Sequence, residues 1–195
     1  MIFFCGIVDD RALAGREKRI VINEDLFVRI GNNDMEAFEE LYRKTERSVY
    51  TYALSFLKNH DEALDVMQDS YLKIRAAAHL YEPMGKPMSW IFTIVRNLSM
   101  SKLRLKNRTD HMQVEDIEND LSFSYVTNHE DKLVLQAAFK VLGEQERQII
   151  LLHAVSGLKH IEISKYLDIP LSTTLSKYHR GLKKLRKYLT EREAL

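Results

Sequence analysis

Residues 158–188 read LKHIEISKYLDIPLSTTLSKYHRGLKKLRKY, two amphipathic segments about a tight turn. The first has Leu158, Ile161, Ile163 and Leu167 as its apolar positions, with Glu162 and Lys165 polar. In the second, Leu171, Leu175, Tyr178, Leu182, Leu185 and Leu189 recur at spacings of four and three, which predicts one buried helical stripe. Between them lie Asp168, Ile169 and Pro170. Proline has no amide hydrogen to donate, so it fits beside the first turn of a new helix and no deeper. Two short helices about such a turn form a helix-turn-helix.

The second of these helices carries a strong charge bias. Between Thr173 and Tyr188 stand Lys177, Arg180, Lys183, Lys184, Arg186 and Lys187, with no Asp or Glu. Short polar side chains and a histidine (Ser172, Thr173, Thr174, Ser176, His179) occupy its leading end. A helix of this make-up suits entry into the DNA major groove by its N-terminus. A solvated cationic face is the plainer account of the lysines, but it leaves the turn and the preceding helix unexplained.

Outward from that stretch, composition sets the limits. The chain has 195 residues, 45% of them hydrophobic, with seven glycines and three prolines. That length admits one domain or two small ones, and the scarcity of helix breakers favours helix. No apolar run approaches the roughly 18 residues that cross a bilayer. The single Cys5 excludes an internal disulfide, which fits a reducing cytoplasm.

The formal net charge of +1 conceals an uneven division. Residues 109–131 carry seven acids and no base, whereas residues 132–195 carry twelve bases and six acids. Basic blocks around an acidic connector are a better sign of nucleic-acid binding than the total.

In chain order, residues 1–22 open on the short apolar MIFFCGIV, which lacks a basic start and a cleavage site. They are expected to form a disordered extension. Asn23 can cap a short helix, Gly31-Asn32-Asn33 breaks it, and Asp34 caps a long amphipathic one. After a turn at Asn59-His60, the next helix runs from Asp61 to about His79, with Leu64, Met67, Tyr71, Ile74 and Ala78 as its buried stripe. Its other side offers Asp61, Glu62, Asp65, Gln68 and Asp69, then Leu72. Acids here suit the helix dipole, but an acidic face with an apolar centre also has the composition of a protein-docking surface.

A loop at residues 81–87 leads to a helix from Met88 to about Leu105. From Lys86 to Arg108 there are six bases and no acid, with Trp90, Phe92 and Asn97 interleaved. Aromatics, an amide and cations together are what unstacked bases and their phosphates require. Taken alone, Trp90 reads as core. Residues 109–131 have no period and are expected to be a flexible linker. Helices resume over 133–142 and 144–155, and lead into the opening stretch.

DEALDVMQDSYLKI, PMSWIFTIVRNLSMSKLR, LGEQERQIILLHAVSGLKHIEISKYLDIP and STTLSKYHRGLKKLRKYL, in that order, resemble an extracytoplasmic-function (ECF) sigma factor of bacterial RNA polymerase. The resemblance runs from about residue 25 to 190. It implies an all-α chain of two small helical domains joined by the acidic linker: a region 2-like domain over 23–108 and a region 4-like helix-turn-helix domain over 132–195. It also implies docking of the helix from Asp61 on the clamp of the largest polymerase subunit, with Asp65, Gln68 and Asp69 matching positions of the docking motif; Asp61, Glu62 and Leu72 complete the expected docking face. Tyr81, Lys86, Trp90, Phe92, Arg96 and Asn97 match the region that captures and opens the −10 element, and Lys102 and Arg104 of the basic run extend that expected surface. Ser172, Thr173, Ser176, Lys177, His179 and Arg180 match the helix that reads the −35 element, and Lys183 of the same basic run is expected to join them.

This chain departs from the pattern at Thr174 and Leu175, where the family has a valine and then a base; the missing cation leaves the −35 preference open. Gly143 stands where a proline is usual. The implied partners are core polymerase (clamp and flap), promoter DNA and an anti-sigma factor, with no small-molecule substrate and a cytoplasmic location.

No enzyme activity, metal or cofactor is expected. The seven histidines form no metal-binding spacing, and there is no phosphate-binding glycine loop or nucleophile elbow. The alternative function is a helix-turn-helix regulator that acts without core polymerase and binds paired half-sites. An inhibitor or scaffold that binds polymerase without opening DNA is a third class.

Overall fold

The computed structural model describes residues 21–83, 85–109 and 136–193. The expected extension over 1–22 lies outside these residues except for Val21 and Ile22, and Ile22 is buried in the core. The expected linker lies outside them except for Thr109, which ends a helix.

Every regular element among the described residues is helical. We number them α1 (Asp25–Gly31), α2 (Met35–Leu57), α3 (His60–Ala77), α4 (Pro87–Thr109), α5 (136–141), α6 (Glu144–Ala154), α7 (His160–Tyr166) and α8 (Leu171–Glu193). A single 3-10 turn, Ala78–Leu80, follows α3.

The helix boundaries follow the polar caps in the sequence. Asp34 is extended and accepts the amides of Glu36 and Ala37 at 3.0 and 3.1 Å, which satisfies two donors left over at the start of α2. Those backbone bonds, with the Arg29 guanidinium beside it, hold the Asp34 carboxyl below its usual value. Asn59 does the same for α3, accepting the Glu62 amide at 2.9 Å. Asn33, Lys58 and Asp168 turn the chain with positive φ at 64°, 59° and 53°. The last of these sits in the helix-turn-helix turn, and α8 begins directly after Pro170.

From Ser48 to Leu57 every residue of α2 is buried, although a helix on the surface of a single small domain would keep one face in water. The cause is a second neighbour. On one side α2 packs against α3 and α4; on the other it packs against α6 from the C-terminal half. Arg147 on α6 marks the junction. It is buried, and its Nε donates to the Ser55 carbonyl at 2.7 Å while Nη1 donates to the Leu142 carbonyl at 3.1 Å. Burial pulls this guanidinium below its usual value, with Glu144 opposing the shift. Two further contacts tie α4 to α7: Ser89 Oγ donates to the Lys165 carbonyl at 3.1 Å, and Phe92 meets Tyr166 edge to face at 5.8 Å.

Arg147→Ala is therefore expected to loosen the junction. Hydrogen bonds from a charged donor are worth about 1.5–3 kcal/mol, and a loss of that order should accompany a larger radius of gyration in solution scattering. An unchanged radius and unchanged stability would contradict the anchoring role.

In the C-terminal half, Tyr178 of α8 closes over His153 and His160 at ring distances of 5.2 and 4.4 Å. His153 Nδ1 also bonds the Leu158 carbonyl at 2.7 Å, fixing the approach to α7. The buried line of α8 is Thr174, Tyr178, Gly181 and Leu185. This corrects the expected stripe, because Leu171 is exposed and Leu175 only half-buried at its edge. The phase of the helix is set by Tyr178 against the histidines and by Gly181 against α6, and together they turn Thr174 inward.

Candidate nucleic-acid interface

The acidic residues of α3 do not form an unpaired face. Asp65 accepts from Lys102 at 2.8 Å and Glu62 from Lys106 at 3.0 Å, both lysines coming from α4. Asp61, Gln68 and Asp69 are exposed, and Leu72 keeps 65% of its surface in water. The exposed remainder is thus an aspartate pair, a glutamine and a leucine, on a helix whose other side is seated against α2 and α4.

The aromatics expected at the −10 element are held in two clusters. Tyr81 stacks on Phe27 at 4.1 Å, and Trp90 meets both rings edge-on at 5.3 Å, so the loop before α4 is pinned to α1. Trp90 itself remains half-buried. Phe92 is only 2% exposed: it stacks on Tyr52 at 4.3 Å and 22°, with Tyr166 across its outer edge. Burial pushes the Tyr52 phenol up to about 12, Arg96 pulling the other way.

Lys86, Arg96, Asn97 and Arg104 are exposed, whereas Lys102 is spent on Asp65. Lys86, Phe92 and Arg96 line a cleft of about 460 Å³ whose far wall is Lys165, Tyr166 and Leu167 of the helix-turn-helix. The expected −10 surface and the C-terminal half therefore face one another across this cleft.

On α8, Ser172, Ser176, His179, Arg180 and Lys183 are exposed and share one face, opposite Tyr178 and Leu185. Thr173 and Lys177 flank it half-buried. Ser176 Oγ bonds back to the Ser172 carbonyl at 2.8 Å. Thr174, by contrast, is buried, with its hydroxyl 3.2 Å from the Pro170 carbonyl, so the departure from valine is a core substitution and does not change the exposed face.

The model of Sigma-70 region 2 matches residues 41–109, and that of Sigma-70, region 4 matches residues 132–185. Together they take in more than half of the chain. ECF RNA polymerase sigma factor SigE of Mycolicibacterium smegmatis is 28% identical over 168 residues, covering 80% of this chain and 63% of its own length. SigK of Mycobacterium tuberculosis is 25% identical over 171 residues, 84% of this chain and 91% of that one. SigX of Bacillus subtilis is 24% identical over 164 residues, 79% and 84% respectively.

The chain belongs to the ECF sigma factors. Its fold agrees with two solved structures, at identities that speak for fold alone. CnrH, solved with the cytosolic domain of CnrY, superposes with a TM-score of 0.62 at 20% identity and covers 86% of this chain and 97% of that one. RpoE of Bartonella quintana, solved with the anti-sigma factor NepR, gives 0.61 at 23% identity over 78% and 96%.

One residue that bonds to the basic helix of this sigma factor was not legible in the sequence. Glu146 lies under α8, where it accepts from Arg180 Nε at 2.6 Å and from Lys184 Nζ at 2.7 Å. In the sequence it reads as an ordinary first-turn acid of α6, and only its spacing of three from Gly143 hints at a cap. Burial pushes its carboxyl up, but the bonds from Lys184, Arg180 and the Gly143 amide outweigh burial and hold it below the ordinary value of 4.5.

A carboxyl held down in the folded state stabilises fully above its unfolded value, and that contribution is lost as pH falls through the folded value. The stability difference between wild type and Glu146→Gln is therefore expected to shrink as pH falls below about 4.5. An acid titration of both proteins in denaturant checks the sign.

Proposed function

We propose that this ECF sigma factor docks on the clamp of core RNA polymerase through the exposed part of α3, engages the −10 element through α4 and the loop before it, and reads the −35 element through α8. The observation that carries the reading is the exposed face of α8. Ser172, Ser176, His179, Arg180 and Lys183 line one side of a helix that follows a tight turn, with its opposite side buried on α6 and α7. In this reading the chain performs no catalysis of its own and works beside polymerase in the cytoplasm. The flap, promoter DNA and an anti-sigma factor are its further partners.

Arg180 and Lys177 divide the work on α8. A guanidinium makes two hydrogen bonds to one guanine edge, worth about 1–3 kcal/mol of discrimination. An ammonium acts on phosphate as a point charge and reads no sequence. With chain and core polymerase mixed over a randomised −35 library, Arg180→Ala is expected to relax preference at one or two positions. Lys177→Ala should weaken all sequences alike and reduce the salt slope by about one. Initiation from a selected promoter that requires both chain and core separates a sigma factor from a regulator acting alone. If Arg180→Ala keeps the wild-type preference at every position, the readout role is lost.

A further inference from the structure

Glu146 is 5% exposed, yet both of its carboxylate oxygens are in use. Oε1 accepts from Arg180 Nε at 2.6 Å, and Oε2 accepts from Lys184 Nζ at 2.7 Å and from the Gly143 amide at 3.2 Å. Arg180 and Lys184 are one turn apart on α8, so a single side chain of α6 holds two cations of the basic helix.

Gly181 lies between them and makes the reach possible. A Cβ at that position would stand 2.5 Å from Ile150 Cδ1 and 3.6 Å from Glu146 Cβ. With no side chain there, α8 settles close enough to α6 for the carboxylate to meet both cations.

We propose that Glu146 is a positioning residue for −35 readout, clamping the Nε edge of Arg180 so that its two terminal nitrogens project from α8 as a fixed fork for one guanine. The inference rests on Arg180 reading a base, as proposed above. A guanidinium has five N–H donors in one plane. With the Nε edge bound to Glu146, the remaining end presents the paired donors that match O6 and N7 of guanine.

Exposure fits this arrangement. The Arg180 side chain is 58% exposed while its anchor is buried, so the tip reaches solvent from a fixed base. A long side chain ordered before binding loses less entropy when it binds, and a supporting shell of this kind separates a precise contact from a loose one. Lys184 has a different share. Bound to Oε2, its ammonium is drawn away from phosphate, so the same carboxylate steadies a specific contact and withholds a non-specific one.

The test uses the full chain with core polymerase and a promoter library randomised at the −35 element. Wild type, Glu146→Gln, Arg180→Ala and the double variant are compared. Glutamine keeps the shape of Glu146 but removes its charge, and its NH2 meets a donor either way round, Arg180 Nε in one orientation or the Gly143 amide and Lys184 Nζ in the other, so the charged clamp on Arg180 is broken or weakened.

At the positions where Arg180→Ala loses preference, Glu146→Gln is expected to reduce discrimination from the roughly five- to hundredfold of a bidentate contact to about threefold or less. The double variant should match Arg180→Ala there, and the salt slope of Glu146→Gln should steepen by about one as Lys184 becomes available to phosphate. If Glu146→Gln does not fold, Glu146→Asp, which keeps the charge but draws it back by one methylene, should show the same positional loss.

Uniformly weaker binding with the preference intact would make Glu146 a structural strut and overturn the inference, leaving the readout role of Arg180 standing. If Arg180→Ala itself changes no preference, both fall.

Discussion

Phe92→Ala is expected to destabilise the protein by about 3–5 kcal/mol, the range for truncating a buried aromatic ring. The ring is 2% exposed, stacked 4.3 Å from Tyr52 and capped by Tyr166 at 5.8 Å. Alanine would open a cavity between the two halves of the chain, so denaturant unfolding should show the loss directly. A change below about 1 kcal/mol would contradict the packing.

The same burial governs any role at the −10 element. Phe92 can meet a base only when Tyr166 has moved away, so the alanine variant confounds folding with DNA opening. Phe92→Leu separates them, because leucine fills much of the site but cannot stack. Normal permanganate reactivity of promoter thymines with this variant would assign Phe92 to the core alone. Loss of that reactivity in a folded protein would assign it to DNA.

The second large effect is expected at the polymerase. Asp69→Arg should weaken binding to core by several kcal/mol, as a like-charge contact in an interface does. Asp69 is the better site for this reversal than Asp65, since Asp65 is bonded to Lys102 at 2.8 Å and Asp69 has no ion pair among the described residues. An arginine at 65 would repel Lys102 within the chain as well as the partner. The Asp65–Lys102 pair is exposed, worth about 0–1 kcal/mol to folding, so its loss alone would not unfold the helix. Titration of folded Asp69→Arg into core polymerase decides the matter. Unchanged affinity removes α3 as the docking surface.

Much of this protein was legible from local chemistry. Asp34 announces a helix start because it carries a short acceptor just before an apolar repeat, and the structure uses it as a cap; Asn59, expected only as part of a turn, caps α3 in the same way, with His60 already helical. Pro170 marks the start of α8 because its ring allows no deeper position in a helix. The all-α class, the helix-turn-helix and the separation of acidic from basic helices all follow from patterns within about twenty consecutive residues.

Tertiary packing decided the rest, because it depends on which faces meet. Ten buried residues in succession on α2 show no single-faced period, and their cause is α6, some ninety residues further along the chain. Phe92 reads as a base-stacking residue until Tyr166 is seen across it. Leu175 belongs to the expected stripe by spacing, but the fit of Tyr178 and Gly181 against their neighbours turns Thr174 inward and Leu175 to the edge. Glu146 is the clearest case: spacing along α6 gives no sign that Arg180 and Lys184 will arrive on its two oxygens, since that ion cluster exists only where α6 and α8 cross.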